Sequence, residues 1–337
     1  SFSESRQVKE YDAIFIDECS TIDNRIMKEL LKKIDKETML VLSGDIYQIE
    51  SIDFGNWFYY AKDIIKTKGA NVELCHTWRT EKEELKSLWN AVREKSSIIT
   101  EKLSMDGPFS ENMGENIFHL EDDEVVLCLN YDGKFGLNNM NQYFQNANTQ
   151  SKAYSWEEWT YKIGDRIIFT NTKRSAMLYN NLKGTILDIE YGEKKIIFTI
   201  EVKIQLSKDQ CEEETFEYIE ATKSGTIIKL EIISWDDDLS EADKIKTVIP
   251  FQLAYAVSIH KAQGLEYKSV KIVIPSSNAE RITHSIFYTA ITRAKERLKI
   301  FWSAETMKKV IESFTNENNE QRTLPIIKEE LQKSSST

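Results

Sequence analysis

Short apolar runs alternate with helix-spaced segments over the first hundred residues. Ala13-Ile14-Phe15-Ile16 reads as a buried strand, and Asn24 to Ile34 sets Ile26, Leu30, Leu31 and Ile34 at helical spacing. Met39-Leu40-Val41-Leu42 predicts a second strand, Val72-Glu73-Leu74 a third, and Glu81 to Lys95 an amphipathic helix. Strands separated by helices imply a parallel sheet with crossover connections. The densest turn signals fall at residues 104–116 and mark a boundary. Val125 to Leu129 then predicts a strand, with a helical segment through Phe144 and Gln145. From Gly164 the texture turns to short β-branched runs bounded by polar turns, which predicts a small β module over 164–248. At Phe251 the α/β rhythm resumes, with a helix to Lys261, a strand at Val270–Ile274, a helix at Ser285–Ala294 and a strand at Leu298–Trp302. The expected fold class is α/β, interrupted by a β-rich insertion.

Composition changes this picture little. The 337 residues are enough for about two domains. A hydrophobic content of 41% supports buried cores and excludes global disorder. No apolar run approaches the roughly 20 residues of a membrane helix, and SFSESRQVKE is no signal peptide, so no membrane role and a cytoplasmic location are expected. Four cysteines without a CxxC pair argue against a zinc ribbon and a disulfide scaffold. The net charge of −11 argues against a protein that merely coats nucleic acid. A local groove that grips a strand is compatible with it.

The candidate chemistry clusters at predicted strand ends. Asp17 and Glu18 follow the first strand, where carboxylates project into the crevice of a parallel sheet. Such a pair divides the labour: one carboxylate holds Mg²⁺ while the other orients or deprotonates a water. A solvated acidic turn is the plain alternative. The second strand ends in Ser43-Gly44-Asp45-Ile46-Tyr47-Gln48, in which Gly44 permits a tight turn and Gln48 can reach a phosphate oxygen. Arg79, in Trp78-Arg79-Thr80, offers a planar fork that lysine lacks, or else forms a surface salt bridge. Near the other end, Ser258 to Tyr267 and Phe287 to Lys295 gather further polar groups at helix–loop junctions.

Taken together and in order, these segments resemble the superfamily 1 helicases, in their RecD-like branch. Ile16 to Ser20 resembles a Walker B motif, Ser43 to Gln48 the Gly-Asp-x-x-Gln motif, and Leu74 to Thr80 the motif ending Tyr-Arg-Ser/Thr, with Trp78 in the tyrosine's place. Gly164 to Ile168 resembles the Gly-Asp-Arg-Val-Met strand that enters the β insertion. Ser258 to Tyr267 and Tyr288 to Ala294 resemble the two motifs of the second motor domain. The resemblance implies two RecA-like domains, the first incomplete. They would occupy 1–110, then 117–163 with 249–315, around an SH3-like module at 164–248 and before a polar tail at 316–337.

It further implies ATP and Mg²⁺ as cofactors and single-stranded DNA as partner, with RNA and other subunits of a repair or defence complex as further candidates. Asp17 would hold Mg²⁺, Glu18 would orient the attacking water and Gln48 would sense the γ-phosphate. Arg79 and Arg293 would stabilise developing charge as arginine fingers do. Gly44, Asp45, Gly264 and Glu266 would line the nucleotide, and His260, Lys261, Thr289, Tyr47 and Trp78 would contact the strand or relay closure. Either Arg→Lys change is expected to cut turnover about 10³-fold without loss of thermal stability.

Two departures stand out. Asn180-Asn181-Leu182-Lys183-Gly184 differs from the usual Asn-Gly-Asp-x-Gly turn. No Gly-x-x-x-x-Gly-Lys-Ser/Thr loop occurs, although the family carries one upstream of Walker B. The chain therefore reads as the C-terminal portion of a 5′→3′ DNA helicase or translocase, inactive by itself. The alternative is a non-catalytic module that binds nucleic acid or a partner protein.

Overall fold

The computed structural model describes residues 11–51, 55, 57–65, 69–170, 173–212, 214–314 and 319–334. In chain order the elements begin with β1 (Ala13–Ile16), α1 (Asn24–Lys33), β2 (Met39–Leu42), α2 (Trp57–Ile64) and α3 (Glu83–Arg93). The single turn α4 (Ile99–Lys102), β3 (Ser110–Glu111), β4 (Glu124–Cys128) and α5 (Leu137–Ala147) come next. A run of strands follows: β5 (Ala153–Trp156), β6 (Trp159–Lys162), β7 (Arg166–Phe169), β8 (Lys183–Tyr191), β9 (Lys195–Val202), β10 (Glu217–Ala221) and β11 (Thr226–Ile233). After α6 (Glu241–Lys244) lie β12 (Phe251–Leu253), β13 (Ala256–Ser258), β14 (Tyr267–Val273), α7 (His284–Ile291), β15 (Ala294–Phe301), α8 (Ala304–Ser313) and α9 (Asn319–Ser334). Two compact units result, residues 1–114 with 262–337, and residues 115–261. This grouping differs from the expected one, which joined 117–163 to 249–315.

In the first unit β1 and β2 pair in parallel, Ala13 opposite Met39. Asp23 caps α1 by accepting from the Ile26 N–H at 2.8 Å, so the crossover helix starts on a satisfied amide. β14 and β15 are parallel, with β3 added beside β15. Helix α3 packs on α7, and its buried Trp89 donates from the indole to the Ile291 carbonyl. Val72–Leu74 is not a strand: the segment has no ladder partner, and Val72 and Leu74 are 81% and 87% exposed. Apolar composition favours a strand only where a neighbour takes its hydrogen bonds. Helices α2 and α8 were not foreseen, and the polar tail is helical over Asn319–Ser334.

In the second unit β4 and β13 pair in parallel. Asn141 of α5 locks onto them, its side chain exchanging both hydrogen bonds with the Ala256 backbone at 2.9 and 3.0 Å. The antiparallel sheet runs β10-β11-β9-β8-β7-β12, beside the β5–β6 hairpin. Its alternating inward residues, among them Ile196, Phe198, Ile200, Ile228 and Leu230, form one core. That core also takes in Trp156, Tyr161 and Phe251, so the module extends beyond 164–248 at both ends. The helix expected from Phe251 to Lys261 is instead two strands, because Phe251–Leu253 completes a ladder with β7. Asp165, fully buried, accepts from Gln145, Tyr255 and the Lys162 amide.

Candidate active site

The site is built at the carboxyl ends of β1 and β2, which stay zipped beyond the ladder. The Ser43 N–H donates to the Ile16 carbonyl and the Cys19 N–H to the Ser43 carbonyl. Glu18, directly after this point, adopts φ 51°, ψ 42°. A left-handed non-glycine residue is held against its own preference by its surroundings. Asp17 is exposed and accepts from the Glu18 N–H at 2.9 Å, whereas Glu18 is half-buried. Burial, then the neighbouring Asp17, holds the Glu18 carboxyl above the usual carboxylate range; Arg293 and Arg79 pull it down and Asp45 pushes it up. Residues 18, 45, 79 and 293 thus share one electrostatic environment.

Gly44 allows the second strand end to approach this turn. A Cβ there would lie 2.8 Å from the Phe58 ring and 3.1 Å from the Cys19 nitrogen. Asp45 then folds the chain back, one carboxylate oxygen accepting from the Tyr47 N–H and the other from the Gln48 amide at 3.3 Å. Gln48 is buried, and its Oε1 has no partner. A buried acceptor without a donor is costly, and it suits a water or another O–H donor.

Arg79 and Arg293 meet on Thr292. Arg79 donates to the Thr292 carbonyl at 2.8 Å, and Arg293 donates to the Thr292 hydroxyl at 3.1 Å. Arg79 also faces Glu266 at 3.7 Å, and Glu266 is paired with Lys295 at 2.5 Å. Arg293 is fully buried, donating from Nε to the Thr289 carbonyl at 2.9 Å and from a terminal nitrogen to Leu265 at 3.1 Å. Burial, and then Arg79, push its pKa down to about 10, so it remains charged at neutral pH. This bonding gives Arg293 a structural role, and an Arg→Lys change there without loss of stability is no longer expected. Gly264, at φ +74°, makes the turn that presents the Ala262 and Leu265 carbonyls to Arg293.

The residues expected to touch a strand are placed less uniformly. Thr289 is 0% exposed and its hydroxyl accepts from the Ile49 N–H, so it offers nothing to a strand. Tyr47 lies between the Arg93 guanidinium, 4.8 Å from the ring centroid, and the Tyr288 ring. Arg93 was not legible as part of the site, since an arginine in a helix's last turn is usually a favourable end charge. Trp78 is 83% exposed, its ring 4.3 Å from that of His76, and is open to stacking. His260 and Lys261 belong to the second unit. His260 is exposed, and the Lys261 ammonium donates to Gln252 at 2.6 Å.

Among the described residues, no group of three histidine, cysteine or carboxylate side chains could hold a metal ion unaided. Mg²⁺ commonly takes one or two carboxylates and completes its shell with phosphates and water. Exposed Asp17 fits an ion brought by a nucleotide.

Comparisons with known proteins point the same way at both ends of the chain. A model of the AAA domain matches residues 3–107, and a model of the UvrD-like helicase C-terminal domain matches residues 253–300. The RecBCD enzyme subunit RecD of Buchnera aphidicola is 23% identical over 89% of this chain and 55% of its own length. The ATP-dependent DNA helicase Pif1 of Campylobacter jejuni is 27% identical over 87% of this chain and 70% of its own. The chain thus spans about half the length of the RecD relatives it matches. A crystal structure of Pif1 helicase from Bacteroides in complex with ADP-AlF3 and ssDNA superposes with a TM-score of 0.52 at 14% identity, covering 88% of this chain and 72% of that one.

Proposed function

The chain belongs to the superfamily 1 helicases, in their RecD-like branch, and from there we propose that it is the motor part of an ATP-dependent DNA helicase or translocase moving 5′→3′ on single-stranded DNA. Its parallel α/β parts and antiparallel sheet fit two RecA-like domains with a β-rich insertion. The observation that carries the proposal is that Asp17, Asp45, Arg79 and Arg293 all act electrostatically on the Glu18 carboxyl, although more than 200 residues separate Glu18 from Arg293.

Glu18 orients the attacking water and takes its proton. Gln48 holds that water through its free Oε1, its amide nitrogen being turned to Asp45. Asp17 would hold Mg²⁺, which when bound with the nucleotide neutralises phosphate charge. Arg79 and Arg293 supply the positive charge that a transferring phosphoryl group requires. Arg79, held by the Thr292 carbonyl and a longer contact with Glu266, is less tightly bound than Arg293, which backbone carbonyls of Thr289 and Leu265 fix in place. Trp78 stacks on a base, worth about 1–3 kcal/mol.

The test is Mg²⁺-dependent, strand-stimulated ATP hydrolysis by the whole protein, which Glu18→Gln should abolish, with unwinding of a 5′-tailed but not a 3′-tailed duplex. The 337 residues contain no Gly-x-x-x-x-Gly-Lys-Ser/Thr loop. Alone they should bind single strands while hydrolysing ATP at background rates. A magnesium-dependent ATPase of the isolated chain that Glu18→Gln removes would overturn that last expectation.

A further inference from the structure

Ile49, the residue that follows Gln48, is gripped on both sides. Its N–H donates to the Thr289 hydroxyl at 2.9 Å, and its carbonyl, in the next peptide, accepts from the Gln263 side-chain amide at 3.2 Å. Ile49 and Thr289 are buried. The Ile49 N–H lies in the same rigid plane as the Gln48 carbonyl, so holding it fixes the backbone rotation that aims the Gln48 side chain. Thr289 has a second bond of consequence, since its own carbonyl accepts from Arg293 Nε at 2.9 Å. A continuous path therefore runs from Gln48 through the Ile49 amide and both oxygens of Thr289 to Arg293. The Tyr47 ring, edge-on to Tyr288 at 6.0 Å, supports the same junction from the preceding residue.

We propose that Thr289 and Gln263 are positioning residues, which register the Gln48 turn against Arg293 by holding the Ile49 backbone through its N–H and its carbonyl. The proposal rests on the helicase reading above and assigns to Thr289 a link inside the motor in place of a strand contact. Rotation of Gln48 about its backbone would break the Thr289 bond or carry α7, and with it Arg293, along. A valine at 289 keeps the shape of threonine and removes the acceptor, whereas serine keeps the acceptor.

The experiment pairs a structural with a kinetic readout. In the 337-residue chain, amide exchange at Ile49 should quicken at least tenfold in Thr289→Val and stay within threefold of the parent in Thr289→Ser. In the whole protein with saturating single-stranded DNA, Thr289→Val should lower kcat at least tenfold with KM for ATP within twofold, and Thr289→Ser should restore kcat. Gln263→Met, at a half-buried side chain, should give a smaller loss of the same kind; it carries the test if Thr289→Val does not fold. A wild-type protein without strand-stimulated ATPase would defeat the helicase reading. An active wild type whose Thr289→Val and Gln263→Met variants turn over normally would defeat this proposal alone.

Discussion

Replacing Arg293 with lysine should destabilise the first unit measurably, with no ligand present. The guanidinium makes three bonds of 2.9–3.1 Å, to Thr289, Leu265 and the Thr292 hydroxyl, and a longer one of 3.5 Å to Ala262. These acceptors surround a planar fork, and an ammonium at the end of a lysine can keep only one of the three. Two lost bonds from a charged donor, each at the lower end of its usual worth, amount to about 3 kcal/mol. For a unit of this size that corresponds to a Tm lower by about 6–12 °C. Arg79→Lys is the internal control. Its side chain is 32% exposed, with one carbonyl bond and a 3.7 Å ion pair, so it should cost less than about 1 kcal/mol. Thermal unfolding of both variants in the 337-residue chain, followed by circular dichroism, makes the comparison. An Arg293→Lys variant melting within about 2 °C of the parent, or no lower than Arg79→Lys, would refute the assignment of these bonds as structural.

Glu18→Gln should raise Tm at neutral pH, because the folded state holds this carboxyl above its ordinary pKa and so opposes its ionised form. With the folded pKa raised, wild-type stability falls as pH climbs from about 4.5 through the raised value. The variant's advantage should therefore be present at neutral pH and vanish below about pH 4.5, as unfolding scans across that range will show. His284 is buried, its Nε2 2.7 Å from the Val92 carbonyl, and burial holds its pKa below the ordinary value. Stability should be full above about pH 6.5 and decline as pH falls below it, and His284→Gln should flatten that decline in denaturant titrations. Gly44→Ala should cost about 1–3 kcal/mol by urea unfolding, since its methyl meets the Phe58 ring and the Cys19 nitrogen, and Phe58→Leu should recover part of the loss.

Local patterning specified the elements whose partner lies close in sequence, although the strand expected to be buried at Ala13–Ile16 is half-exposed, with Phe15 73% exposed. β1, β2 and α1 lie where Ala13–Ile16, Met39–Leu42 and the helical spacing from Ile26 to Ile34 predict them, because each forms its own hydrogen bonds or pairs across one crossover, but the buried face of α1 is Met27 and Leu30, with Ile26 and Leu31 exposed. The placement of Asp17, Glu18 and the Ser43–Gln48 segment at strand ends was equally legible, since a parallel sheet exposes its chemistry at the carboxyl edge. Tertiary structure decided the rest. Val72–Leu74 has a strand's composition but no ladder, and Phe251–Leu253 becomes a strand only because β7, some 80 residues earlier, accepts it. Arg293 reads in sequence as an arginine finger, yet its surroundings are carbonyls from Ala262, Leu265 and Thr289, which no local pattern can place around it. Thr289 reads as a polar helix residue, and only the packing of Ile49 against it, 240 positions away, turns its hydroxyl inward. Sequence spacing sets the hydrogen bonds made within a few residues; a donor and acceptor far apart along the chain find each other only when the core that joins them has formed.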